Sequence, residues 1–309
     1  MNVRNYWTFI FLLIIGAGCT GNAEKSDSKP EAKTVDLPTI KDKQLNISVL
    51  VDLSNRIDTK LHPEQASRDI AIVQNLAQVF KNNVDAFGAF KADSKLRIYF
   101  HPEPQDPQMA TIAKELTANC EAGTRPENAR HNKQIYMTVD SNFKNGLQQI
   151  YTLANNKSVY PGSNIWRFMK DEAQNKCIED TNTFRNILVI LTDGYLYYKN
   201  EMSQNKNRYT YIERNFPHFN KFRNTTLLNT EFDKDDYGLQ PIGKKLNGLE
   251  VLVMGIAPDE TYPQDYDIIQ KYWSKWFDEM GVKHAVLVKS QQPVYSVKSI
   301  NDFLLNRPQ

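Results

Sequence analysis

The chain has 309 residues, 40% of them apolar and 24% charged, with a formal net charge of +2. That length suits one large domain or two small ones. The near-neutral balance gives no electrostatic case for nucleic acid or an anionic membrane surface as the main partner. The first predicted element is apolar. In "MNVRNYWTFIFLLIIGAGC" one basic residue, Arg4, precedes an apolar run from Tyr6 to Ala17. The run is shorter than the roughly 20 residues that span a bilayer, and residues 1–18 have the layout of an export signal. Residues 19–45 follow, poor in aromatics and rich in Lys, Asp, Glu, Ser and Pro. Such a segment buries too little apolar surface to fold and reads as a tether.

Residues 46–309 read as one α/β domain. Ile47–Val51 is a short apolar run of the buried-strand kind. A helix follows, with Pro63 suited to its first turn and Ile70, Val73, Leu76, Ala77 and Phe80 at helical spacing. "KLRIYF" (95–100) predicts a second strand and "QMATIAKELTANC" a helix. "QIYMTV" (134–139) reads either as a short strand or as the start of the next helix, which carries Phe143, Leu147, Ile150 and Leu153 on one face. "NIWRFMKDEAQNKC" predicts another helix, "RNILVILTDG" the strongest strand, and "LEVLVMGIAP" (249–258) a strand nearly as clear. A Tyr- and Trp-rich helix over roughly 265–280, a strand "HAVLVK" and a closing helix "SINDFLLN" complete the series. Apolar strands alternating with helices predict a doubly wound, mostly parallel sheet with helices on both faces. Ligands of such sheets bind outside the carboxyl ends of the strands. That draws attention to Asp52 and Ser54 after the first strand, and to Thr192, Asp193 and Gly194 after the strongest.

Two resemblances carry the functional reading. Gly16-Ala17-Gly18-Cys19 resembles the lipobox of bacterial lipoproteins, with Gly16 where a large aliphatic residue is usual. The resemblance implies that Cys19 is lipidated and becomes the new N-terminus. It also implies a cell-envelope location, with Thr20 and Gly21 pointing to the outer membrane. A plain signal peptide or an uncleaved anchor is the alternative. Outside the cytoplasm disulfides persist, so Cys120 and Cys177 form either one bridge or two buried free thiols. Neither has a second cysteine near enough for a zinc site.

The second resemblance rests on Asp52-Leu53-Ser54, Gly162-Ser163-Asn164-Ile165 and Leu191-Thr192-Asp193-Gly194, in that order and on those elements. Together they resemble a von Willebrand factor A domain with a metal-ion-dependent adhesion site. The resemblance implies a magnesium ion, or manganese or calcium, held by Asp52, Ser54, Ser163 and Asp193. It further implies a protein partner that offers a carboxylate to that ion. Magnesium takes six oxygens and keeps several waters, which an all-oxygen set with few carboxylates allows. The family has a second serine where this chain has Arg56. An arginine cannot ligate a cation. Either it points away while Asn55, Asp58 or water fills the gap, or the site binds metal weakly, or the guanidinium pairs with Asp52 or Asp193 in the metal's place.

Residues 196–248, between two strands, far exceed an ordinary connection. They interleave tyrosines with basic residues, and Tyr and Arg favour binding hot spots. Tyr197, Tyr209, Tyr211 and Arg214, with Arg56, are the candidate partner contacts. The alternative is that the aromatics of this insertion fill a satellite core. Catalysis has no support from motifs, because no His-Glu-x-x-His, Gly-x-Ser-x-Gly or phosphate-cradling loop occurs. Three function classes remain: a cation-dependent protein-binding lipoprotein, a metal-free scaffold of an envelope assembly, and an enzyme with an unrecognised site.

Overall fold

A computed structural model describes residues 37–156, 160 and 162–306. The predicted export signal and Cys19 lie outside these residues. The chain runs through β1 (Gln44–Val51), α1 (Gln65–Phe87), β2 (Lys95–Tyr99), α2 (Pro107–Glu115), β3 (Thr117–Asn119) and α3 (Pro126–Ala154). Next come α4 (Ile165–Asp171), α5 (Ala173–Cys177) and β4 (Phe184–Leu191). The insertion contributes β5 (Gln204–Asn205), β6 (Arg208–Tyr209), α6 (Pro217–Phe222), α7 (Thr225–Glu231) and β7 (Gly238–Leu239). The fold closes with β8 (Leu249–Ile256), α8 (Asp265–Glu279), β9 (His284–Lys289) and α9 (Pro293–Leu305).

The main sheet has the order β3-β2-β1-β4-β8-β9. Every neighbouring pair is parallel except β2 and β3. This is the doubly wound α/β architecture. The apolar strands bury both faces by alternation. Ile47, Val49 and Val51 of β1, with Ile187, Val189 and Leu191 of β4, join the core under α1 and α3. Leu50, Leu188 and Ile190 join the opposite core, with α4, α8 and the insertion. Strand order reverses between β1 and β4, so the chain leaves these neighbours in opposite directions and opens a crevice at their carboxyl ends. Val51 pairs with Leu191 in register, and the Asp52 N–H extends the ladder by donating to the Leu191 carbonyl at 2.9 Å. Asp52 and Thr192 therefore leave the sheet at the same height.

Several boundaries differ from the sequence expectation. Residues 37–45 belong to the domain rather than to a tether: Leu37 and Ile40 pack on the core, and Asn82 and Asn83 donate to their carbonyls. The α1 helix starts at Gln65, just past Pro63. The segment 134–139 is helical, inside the 29 residues of α3. The helix expected over "QMATIAKELTANC" stops at Glu115, and Thr117–Asn119 pairs antiparallel with β2 instead. The helix expected after Asn164 breaks at Glu172 into α4 and α5. The last helix begins at Pro293, a turn and a half before the predicted start.

Cys120 and Cys177 are buried free thiols, so the bridge does not form. Cys120 packs in the core under α3 and Cys177 in the opposite one, which leaves the sheet between them. Among the described residues no helix is long and apolar enough to cross a membrane.

Candidate functional site

The crevice between β1 and β4 opens into a cleft of about 550 Å³. Asp52, Ser54, Ser163 and Asp193 all line it. They arrive from three turns. Asp52 and Ser54 sit on the exit of β1, where a short 3-10 turn, Asn55–Ile57, begins. Ser163 lies on the approach to α4, whose first turn Asn164 caps by accepting from the Arg167 N–H at 3.0 Å. Asp193 follows β4.

Local hydrogen bonds hold these groups in place. One carboxylate oxygen of Asp52, Oδ1, accepts from the Ser54 N–H at 2.9 Å, and Oδ2 accepts from the Thr192 hydroxyl at 2.8 Å. The Ser163 Oγ accepts from the Leu53 N–H at 2.7 Å and ties the α4 loop to the β1 exit. The same hydroxyl also hydrogen-bonds with the Tyr160 side chain. Asp193 Oδ1 accepts from the Tyr195 N–H at 3.1 Å, while Oδ2 faces the Arg214 guanidinium at 3.6 Å. Gly194 turns the chain at φ +94°, and its bare Cα lies where a Cβ would stand 2.9 Å from Ile256 and Ile269 side-chain atoms. The indole N–H of Trp273 donates to the Gly194 carbonyl at 2.9 Å and fixes the turn from below.

Arg56 takes the first of the three courses left open for it. It is 3% exposed and reaches down, away from the cleft. Its guanidinium makes a bidentate pair with Asp69 of α1 at 2.9 and 3.0 Å, and it donates to the Asp52 backbone carbonyl at 3.0 Å. Asp69 also accepts from the Tyr151 hydroxyl of α3 and from Gln65 at 2.9 Å. Arg56 thus pairs with neither the Asp52 nor the Asp193 carboxylate, and burial removes it as a partner contact. Asn55 and Asp58 do line the cleft. Burial opposes the Arg56 charge, but Asp69 above all, helped by Tyr151 and Asp52, raises its pKa above the ordinary arginine value.

Burial raises the Asp52 pKa, and the positive Arg56 nearby counters part of that rise. Burial and then the Asp52 charge push Asp193 up to about 6. A buried carboxylate whose pKa a second carboxylate raises further is a place where a cation lowers the energy of the pair. The donor set is two carboxylates and two hydroxyls, all hard oxygen, as magnesium prefers. Among the described residues no group of three or more His, Cys, Asp or Glu has metal-holding geometry. Any ion here would depend on the two serines and on water for the rest of its shell.

The insertion divides the remaining candidates. Tyr197, half exposed, and Arg214 line the cleft. Tyr209 is 7% exposed and stacks among Tyr211, Phe216 and His218, so it is a core residue rather than a partner contact. Tyr211 packs on the same cluster through Tyr209 and Phe216. The insertion as a whole folds against α8, anchored by bidentate pairs from Arg208 to Glu279 and from Arg223 to Asp265. Sequence reasoning passed over Asp69 and Tyr151, and it singled out Thr192 after its strand without giving the hydroxyl a role. Asp69 carries no signal until α1 is laid across the sheet.

No protein-family model matches the chain, and no curated protein matches it. Among solved structures it is similar to the pilus adhesin SpaC from Lactobacillus rhamnosus GG. That match has 14% identity and a TM-score of 0.36, and covers 85% of this chain and 30% of the adhesin.

Proposed function

We propose that the domain is a cation-dependent protein-binding module of the von Willebrand factor A type, anchored in the cell envelope through Cys19. The observation that supports it best is the convergence of Asp52, Ser54, Ser163 and Asp193 on one cleft at the switch point of the sheet. Ser54 and Ser163 would bind a magnesium ion through their hydroxyls, and Asp52 and Asp193 would ligate it or hold its waters. The ion would supply an under-neutralised positive centre for a carboxylate of the partner. Tyr197 and Arg214 flank that position and would contact the same partner. The chain's own work is to keep the two carboxylates apart and fixed by backbone bonds, so that the ion finds its oxygens already placed.

The Arg214–Asp193 ion pair favours a second reading, a metal-free scaffold that binds through the insertion. Pull-down of the full chain from host envelope, with magnesium and with chelator, separates the two. The first reading expects capture of a defined partner that needs magnesium and is lost in Asp193→Ala. Capture indifferent to both would support the scaffold.

A further inference from the structure

Arg214 sits on a span held at both ends. Before it, Leu196 and Ile212 exchange backbone hydrogen bonds at 3.0 and 2.8 Å across the mouth of the cleft. After it, Phe216 is buried in the insertion core. Residues 213–215 therefore bridge two fixed points, and both Glu213 and Arg214 face the cleft.

The contact that Arg214 makes is specific but loose. Its guanidinium approaches Asp193 Oδ2 at 3.6 Å, beyond hydrogen-bond range, and its side chain is 45% exposed. It also lies over the Tyr195 ring, 5.1 Å from the centroid. The other Asp193 oxygen is committed to the Tyr195 N–H. Among the described residues, Oδ2 is thus the carboxylate oxygen of Asp193 left for a cation, and it is the one Arg214 faces. A divalent ion ligated there would lie within a few ångströms of the guanidinium, and like charges so close repel strongly. The exposed stem lets Arg214 move, whereas Arg56, locked to Asp69, cannot.

We propose that Arg214 is a resident counter-ion of Asp193 that a bound divalent cation displaces, so that this one residue of the insertion sets the cation affinity of the site. The inference rests on the cation reading above. Once displaced, Arg214 remains beside Tyr195 on the cleft that Lys60 also lines, a positive group placed to meet an acidic partner.

The test is magnesium titration of the full chain by calorimetry, for wild type, Arg214→Gln and Arg214→Lys. Removing a partly exposed pair changes the balance by a small factor, so Arg214→Gln should bind magnesium about two- to five-fold more tightly. Arg214→Lys should stay near wild type. In parallel, the Arg214 Nε–H resonance of the wild type should shift as magnesium saturates. Wild-type binding with an unchanged or weaker Arg214→Gln, or an unmoved resonance at saturation, would overturn the proposal. No binding by any of the three would overturn it together with the cation reading.

Discussion

Replacing Arg56 with serine supplies the hydroxyl that the resemblance to an adhesion site implies, and the contacts of Arg56 say that the fold will suffer for it. Arg56 and Asp69 are 3% and 1% exposed and meet in a two-pronged pair. Breaking a buried pair by removing one partner typically costs about 3–5 kcal/mol, because the other charge stays buried. Here Tyr151 and Gln65 still donate to Asp69, which places the expected loss near the lower end, about 3 kcal/mol. For a domain of this size each kcal/mol moves the melting temperature by roughly 2 °C, so Arg56→Ser should melt about 6 °C below wild type. Most of the loss should persist in magnesium, because the pair that is broken is the one with Asp69, outside the cleft. The paired replacement Arg56→Met/Asp69→Leu removes both charges and should recover most of the stability. Urea and thermal melting of the three proteins, with magnesium and with chelator, measure these effects. An Arg56→Ser protein within about 1 kcal/mol of wild type, or one whose loss magnesium fully restores, would refute the reasoning.

Other outcomes follow from the same contacts. Gly194→Ala places a Cβ at φ +94° and 2.9 Å from Ile256 and Ile269, so it should destabilise the domain by about 2 kcal/mol or more in urea melts. Burial, with Lys221 second, lowers the His218 pKa to about 4, and its Nε2 meets the Tyr272 hydroxyl at 2.7 Å. The unfolded chain takes up a proton near 6.5, so this contribution is whole above that pH and is lost as pH falls toward 4; melting temperatures of wild type and His218→Gln should converge across that window. Burial raises both Cys120 and Cys177 to about 12, so neither should react with iodoacetamide in the native protein, and both should react in unreduced urea. Mass spectrometry reads the count, and linked peptides from a non-reducing digest would count against two free thiols.

Most of the sheet was legible because its strands are apolar on both faces and bounded by polar turns. Ile47–Val51 and the run before Thr192 left little else for the chain to do. The gathering of Asp52, Ser54 and Asp193 at one cleft was legible for the same reason: residues at strand ends are fixed once the strands are. What escaped was tertiary. Thr117–Asn119 is too short to announce an edge strand and forms because β2 offers it a ladder. The fate of Arg56 depended on Asp69 thirteen residues later and on Tyr151 of α3, neither of which sequence spacing connects to it. In the insertion, pattern alone could not say which aromatics face solvent. Tyr197 stays half exposed at the cleft, while Tyr209 joins a ring cluster with Tyr211, Phe216 and His218.

The proposed function requires a divalent cation in the cleft between β1 and β4. Calorimetric titration of the full chain with magnesium, beside Asp193→Ala, measures whether one binds. Saturable binding of one ion by the wild type and none by Asp193→Ala is expected, and the fold of that variant should survive because the carboxylate, though buried, packs in neither apolar core. Equal binding by both proteins, or no binding by the wild type at millimolar magnesium, would contradict the proposed function.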